Sequence, residues 1–253
     1  MRLRLPVGNA GRILCLGILC AVSVLVPHEA TADDNVPTPE LHRLGLQIYA
    51  DFCSVCHGPS GEGNGALASE FTPRPRDFTF GSFKFRSTGL GESPARADWI
   101  SVIRNGIEGS YGRLMPAFDS FTDTEVLALV EVVRQFAVLD AYGTPVEIPP
   151  RRLDFSEVRA RQLYRSAGCV ECHGANYDGK GPAAAGLTDE SGFPIAPADF
   201  TVGKFKGSAD LSQIWLRIFG GIPGTPMPSF GQNVSPENLW LVAMYVASLG
   251  LNK

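Results

Sequence analysis

Two stretches of five residues carry the chemistry that the rest of the chain must serve: Cys53-Ser54-Val55-Cys56-His57 and Cys169-Val170-Glu171-Cys172-His173. In the pattern C-x-x-C-H two thiols bond covalently to a porphyrin edge and the adjacent histidine ligates the iron, which is how a c-type haem is attached. A helical turn that brings both sulfurs onto one face delivers the imidazole beneath the metal. C-x-x-C by itself would equally serve a redox dithiol or half a zinc site. Two complete copies, each followed by glycine and each alone in its half of the chain, favour two covalent haems.

A haem iron held by His57 or His173 has a sixth position, and its occupant decides what the cofactor does. Methionine closes the iron and raises its potential, whereas an open position admits oxygen, peroxide or another small molecule. Beyond residues 1–32 the sequence holds three methionines, Met115, Met227 and Met244. Met115 and Met227 each precede proline and then, after one residue, phenylalanine. Proline restricts the residue before it to extended backbone, which suits a ligand presented from a loop. A lone methionine would be read as a core gap-filler, but recurrence in the same context downstream of both haem motifs makes these two the candidate ligands. Met244 falls in a closing helix where the first half has Val132, a packing position. His42 is matched by Glu157 in the second half, and this non-equivalence argues against a ligand role.

Charged and aromatic residues are less specific. Arg74, Arg76, Lys84 and Arg86 flank Asp77-Phe78-Thr79, and Lys204 and Lys206 sit in the matching stretch. Pairing with haem propionates, a docking patch and an ordinary solvated face all remain open for them. Tyr111, Trp99 and Trp215 are candidates either to border the porphyrins or to fill a core.

These residues must be positioned by helices, and the helices repeat. Thr38-Pro39-Glu40 has the chemistry of a helix start, followed by Leu41, Leu44, Ile48, Tyr49 and Phe52 at helical spacing. Residues 154–168, with Val158, Leu163 and Tyr164, lead in the same way into the second motif. Asp77-Phe78-Thr79 matches Asp199-Phe200-Thr201, and Gly81-Ser82-Phe83-Lys84-Phe85 matches Gly203-Lys204-Phe205-Lys206-Gly207. Short helical patterns at 99–105 and 211–219 end in Asn105-Gly106-Ile107 and Gly220-Gly221-Ile222. Each half closes on a strong helix. The first has a capping box at Thr122 and Glu125 before Val126, Leu129, Val130, Val133 and Phe136. The second opens at Ser235-Pro236-Glu237 and carries Leu239, Val242, Ala243, Val246 and Leu249. No alternating strand series stands out, so the expected fold is all-α: two tandem helical domains, 33–142 and 153–253, joined by a proline-rich linker at 143–152.

The first 32 residues read as a cleaved signal peptide: Arg2, Arg4 and Arg12, an apolar run over 13–26, and small residues at Ala30-Thr31-Ala32. The run is shorter than the about 20 residues needed to span a bilayer, and no later segment is expected to cross one. Of the six cysteines, Cys15 and Cys20 lie in this leader and the other four are consumed by the two motifs, leaving none for a disulfide. Without residues 1–32 the formal charge moves from −4 to −6. That acidic balance argues against nucleic-acid binding.

C-x-x-C-H-G, a downstream Met-Pro and a closing amphipathic helix together resemble the class I c-type cytochromes, twice over, across residues 41–139 and 155–249. The resemblance implies a cytochrome c-like fold of a few helices around each haem, with opening and closing helices crossed. It implies axial pairs of His57 with Met115 and His173 with Met227. It also implies haem attachment outside the cytoplasm, hence a periplasmic location. The function expected is single-electron transfer between redox protein partners of a respiratory or dehydrogenase chain, with a membrane-bound respiratory complex as one candidate partner. The rival readings are a di-haem enzyme such as a peroxidase and a dedicated subunit of a larger oxidoreductase. Residues 86–98 have a shorter counterpart in the second half, and are either a surface loop or a partner contact.

Overall fold

Thr38 opens the first helix as expected. Its hydroxyl accepts the Leu41 N–H at 3.2 Å, and Pro39 occupies the first turn where no amide partner is needed. The computed structural model describes residues 37–109, 112–151 and 154–250. The leader and Tyr111 lie outside the described residues.

Helix α1 (Pro39–Ile48) runs through a π-helical turn, Tyr49–Cys53, straight into α2 (Ser54–His57). The chain then loops to α3 (Arg96–Asn105), a hairpin of β1 (Ile107–Gly109) and β2 (Gly112–Met115), and α4 (Asp123–Phe136). The second half has α5 (Glu157–Ser166), α6 (Cys169–His173), α7 (Leu211–Gly220) and α8 (Pro236–Ser248). The fold is helical with one small addition that sequence patterning did not mark: β1 and β2 pair antiparallel, with Ile107 opposite Met115.

Each half builds its own core. In the first, α1 packs across α4 around Ile48, Tyr49, Val126, Leu129 and Val130, and α3 adds Trp99 and Ile103. In the second, α5 packs across α8 around Ala160, Tyr164, Leu239, Val242 and Val246, and α7 adds Ile214 and Trp215. The crossing is close because its residue is small. A Cβ on Gly45 would collide with the Ala128 carbonyl, and the equivalent residue of α5, Ala160, is fully buried.

Two apolar positions depart from expectation. Val158 is 71% exposed, because α5 turns Ala160, Leu163 and Tyr164 inward instead. Phe52 is 51% exposed, since the π turn shifts it off the face of α1, and its ring meets Phe118 and Phe121 edge-on.

The connector is strapped down at both ends. Gly143 N–H donates to Pro94 O at 3.1 Å and Val146 N–H to Ser87 O at 2.7 Å. Beyond them Val146 and Ile148 lean on the second core, and the Trp240 indole N–H donates to Pro149 O at 2.9 Å. Within residues 86–98, the segment longer in the first half, Ser87 and Pro94 are thus engaged by the connector, while Leu90 is 59% exposed. The described residues belong to one compact unit.

Candidate functional site

The four cysteines are free thiols, and each C-x-x-C-H lies on helix at the end of the element that opens its half. Burial pushes the Cys53 thiol up to about 12 and the Cys169 thiol up to about 11. A redox dithiol needs the opposite, a thiol acidified for attack. Among the described residues no three His, Cys, Asp or Glu side chains gather as a metal site.

The two histidines are held by the same device in both halves. His57 Nδ1 lies 3.0 Å from Arg76 O, and His173 Nδ1 lies 3.1 Å from Ala198 O. A ring nitrogen facing a carbonyl oxygen must carry the proton, so the lone pair is on Nε2, free for a metal. Burial lowers the pKa of both imidazoles and keeps them neutral. Phe78 stacks on His57 and Phe200 on His173, each with centroids 4.5 Å apart.

The recurring Asp-Phe-Thr sequence now has a physical explanation. Asp77 Oδ1 accepts the Thr79 N–H at 2.8 Å and Asp199 Oδ1 accepts the Thr201 N–H at 2.8 Å, capping a single 3-10 turn. That turn puts the phenylalanine on the imidazole and the carbonyl of the residue before the aspartate on Nδ1. Behind each histidine a buried tyrosine locks the next residue: Tyr49 Oη donates to Gly58 O at 2.8 Å, and Tyr164 Oη to Gly174 O at 3.0 Å. Burial pushes the pKa of both phenols well up, so they remain donors.

Met115 lines the same cleft as Cys53, Cys56 and His57, whose walls include Phe78, Phe83, Trp99, Ile103 and Leu129. Met227 packs against the second core, as does Cys169. Both Met-Pro segments sit on a glycine. A Cβ on Gly106 would collide with Met115 O, and one on Gly221 would come within 2.9 Å of Met227 O and 2.8 Å of the Pro228 carbonyl carbon. Both glycines have positive φ, 65° and 68°, the region favourable to glycine. The Asn-Gly-Ile and Gly-Gly-Ile repeats signalled these positions without saying what they touch.

Of the basic candidates, Arg74, Arg76, Lys84 and Lys206 line the cleft. Arg76 pairs with Glu190 through Nη1, while its buried Nη2 has no hydrogen-bond partner. An orphaned guanidinium nitrogen beside an apolar slot and a neutral imidazole is what a porphyrin with carboxylate substituents requires, so the residues fit the group. Arg86 is corrected. It is buried away from the cleft, donating to the carbonyls of Gly89, Glu92 and Gly220. Lys204 is exposed. Trp99 both borders the cleft and belongs to the first core, whereas Trp215 is core, its indole N–H donating to Pro236 O at 3.1 Å. Met244 packs against the second core. His42 is half-buried on α1 and its Nδ1 has no hydrogen-bond partner.

Helical halves that each carry C-x-x-C-H just after an opening helix, with a histidine whose Nδ1 faces a backbone carbonyl, define a haem-binding protein. Residues 157–250 match the family described as cytochrome c, and residues 40–131 match cytochrome C oxidase, cbb3-type, subunit III. Among solved structures the chain is similar to one from the Kuenenia stuttgartiensis reducing HAO-like protein complex Kustc0457/Kustc0458. That match has 32% identity and a TM-score of 0.77, and covers 85% of this chain and 97% of that one. A weaker likeness, at 15% identity and a TM-score of 0.36, is to thiosulfate dehydrogenase (TsdBA) from Marichromatium purpuratum in its as-isolated form, covering 86% of this chain and 48% of that one. The chain belongs to the c-type cytochromes, as a tandem member with two covalently bound haem c groups. Its chemistry is electron transfer, which implies redox partners. No helix among the described residues is long and apolar enough to cross a membrane.

Proposed function

We propose that this is a periplasmic di-haem electron carrier, exported by residues 1–32, with haem domains at 33–142 and 153–253 and the linker at 143–152. Each bound haem supplies a one-electron ferrous–ferric couple. Cys53, Cys56, Cys169 and Cys172 hold the two porphyrins, and the axial pairs are His57 with Met115 and His173 with Met227. The observation that carries this reading is that Met115 shares one cleft with His57, on a Met-Pro segment seated against a glycine as its counterpart is in the second half. Two irons closed by sulfur exchange electrons with little rearrangement and leave no position for a substrate, which disfavours a peroxidase.

The test is the optical spectrum of the oxidised protein and the response of the reduced protein to carbon monoxide. The expected result is the methionine-to-iron charge-transfer band and almost no gas binding. Met115→Ala and Met227→Ala should each open one site and bind one equivalent. Full, rapid binding by the unaltered protein at one haem would overturn the carrier reading and favour the enzyme one.

A second reading, a dedicated electron-transfer subunit, draws support from the likeness to a chain of an HAO-like protein complex. It predicts that the protein purifies from its native source bound to a larger oxidoreductase, whereas a free carrier elutes alone.

A further inference from the structure

The cleft that holds Cys53, His57 and Met115 is not made by the first half alone. Asp189, Ser191, Phe193 and Lys206 from the second half also line it. Lys206 and Lys84 stand at matching places in the repeat, yet both reach the same cleft. Each is half-buried, and among the described residues neither ammonium has a hydrogen-bond partner. Burial first, then the neighbouring cations, push both down to about 8, with Arg76 acting on both and Lys84 on Lys206, against an opposing pull from Asp189 on both and from Glu190 on Lys84.

The carboxylates nearby are already engaged. Glu190 is held by Arg76, and Asp189 Oδ1 accepts the N–H groups of Ser191 and Phe193 at 3.0 Å each. Asp77 caps its own turn, and Asp98 accepts from the Ser87 and Ala95 N–H groups. Arg74 lies over the Phe193 ring. Three cations therefore converge on a partly desolvated cleft with an unsatisfied Arg76 Nη2, an arrangement that calls for an added anion.

We propose that Arg76, Lys84 and Lys206 form one carboxylate-binding site for the propionates of the haem attached at Cys53 and Cys56, so that a lysine of the second half helps set the potential of the first haem. It rests on that haem lying in this cleft, not on the identity of the sixth ligand. Ferric iron carries one more positive charge than ferrous, so nearby cations disfavour the oxidised state and raise the potential. Removing either lysine's charge favours the oxidised state.

The test is a spectroelectrochemical titration of the intact di-haem protein bearing Lys84→Gln, Lys206→Gln, Lys206→Arg or Lys204→Gln. Haem content and the charge-transfer band verify loading and ligation independently. Both cleft glutamine variants should move the same one of the two redox waves downward. The shift expected is about tenfold in the ferrous-to-ferric ratio at fixed electrode potential, or about 59 mV for a one-electron couple. Lys206→Arg and the exposed-site control Lys204→Gln should leave that wave in place. Different waves moved by Lys84→Gln and Lys206→Gln, both waves moved equally, or no movement would each overturn the proposal.

Discussion

At the scale of single residues, what distinguishes these sites is how little the haem motif does unaided. His57 and His173 acquire their tautomer from a backbone carbonyl more than fifteen residues downstream in the chain, at Arg76 and Ala198. The residue after each histidine is held by a buried phenol. Tyr49→Phe leaves the buried Gly58 carbonyl without that donor. The loss should lower stability by about 1–3 kcal/mol, read as a shift of the urea midpoint at unchanged slope. Tyr164→Phe should act alike on the second half. Gly106→Ala tests the other side of the first cleft: a methyl group at φ 65° collides with Met115 O, so the Met-Pro segment must move. The expected outcome is weakening of the charge-transfer band and carbon monoxide binding at one haem, with the other unaffected.

At the scale of elements, caps decide where the helices start and therefore where their side chains project. Asp210 caps α7 by accepting from the Ser212 hydroxyl and from the N–H groups of Ser212 and Gln213. The Ser212 hydroxyl and N–H, with a lesser part from Gln213, hold its carboxyl below the usual range. A carboxyl depressed in the folded state contributes stability that is fully present above its unfolded value of about 3.9 and is lost as pH falls through the folded value. Asp210→Ala should therefore cost about 1 kcal/mol near neutral pH. The deficit should start to shrink below about pH 4, where the unfolded carboxyl takes up its proton while the native one is still ionised, and should vanish only once the native carboxyl protonates at lower pH; thermal melts from pH 2 to 7 read it directly. The crossed pairs α1 on α4 and α5 on α8 follow a simpler logic, in which the smallest residue of the opening helix lies at the point of closest approach.

At the scale of the whole molecule, the two halves are joined by more than the connector. Arg86 sits in the segment that is longer in the first half and donates to Gly220 O, an otherwise orphaned carbonyl at the C-terminal end of α7, at 3.2 Å. Gly207 N–H donates to Glu108 O at 3.1 Å, and Arg76 pairs with Glu190. Arg86→Ala removes the clasp and leaves buried carbonyls unpaired. Calorimetry should then resolve two unfolding transitions where the unaltered protein shows one, while both haems keep their ligation spectra.

The motifs Cys53 to His57 and Cys169 to His173, the apolar faces of the helices and the Thr122–Glu125 capping box were legible in the chain because they depend on neighbours a few residues apart, where spacing alone dictates geometry. The crossing of opening and closing helices, by contrast, follows only from the resemblance to the cytochromes. The duplication added a second kind of legibility: Asp-Phe-Thr and Met-Pro could be seen to matter because they recur, before it was clear what they touch. Tertiary structure alone decided that Arg86 belongs to a clasp and not to a haem, that Val158 faces solvent, and that Lys206 crosses to the other half's cleft. In each case the outcome is set by which segments distant in the chain pack together, and local periodicity carries no record of that.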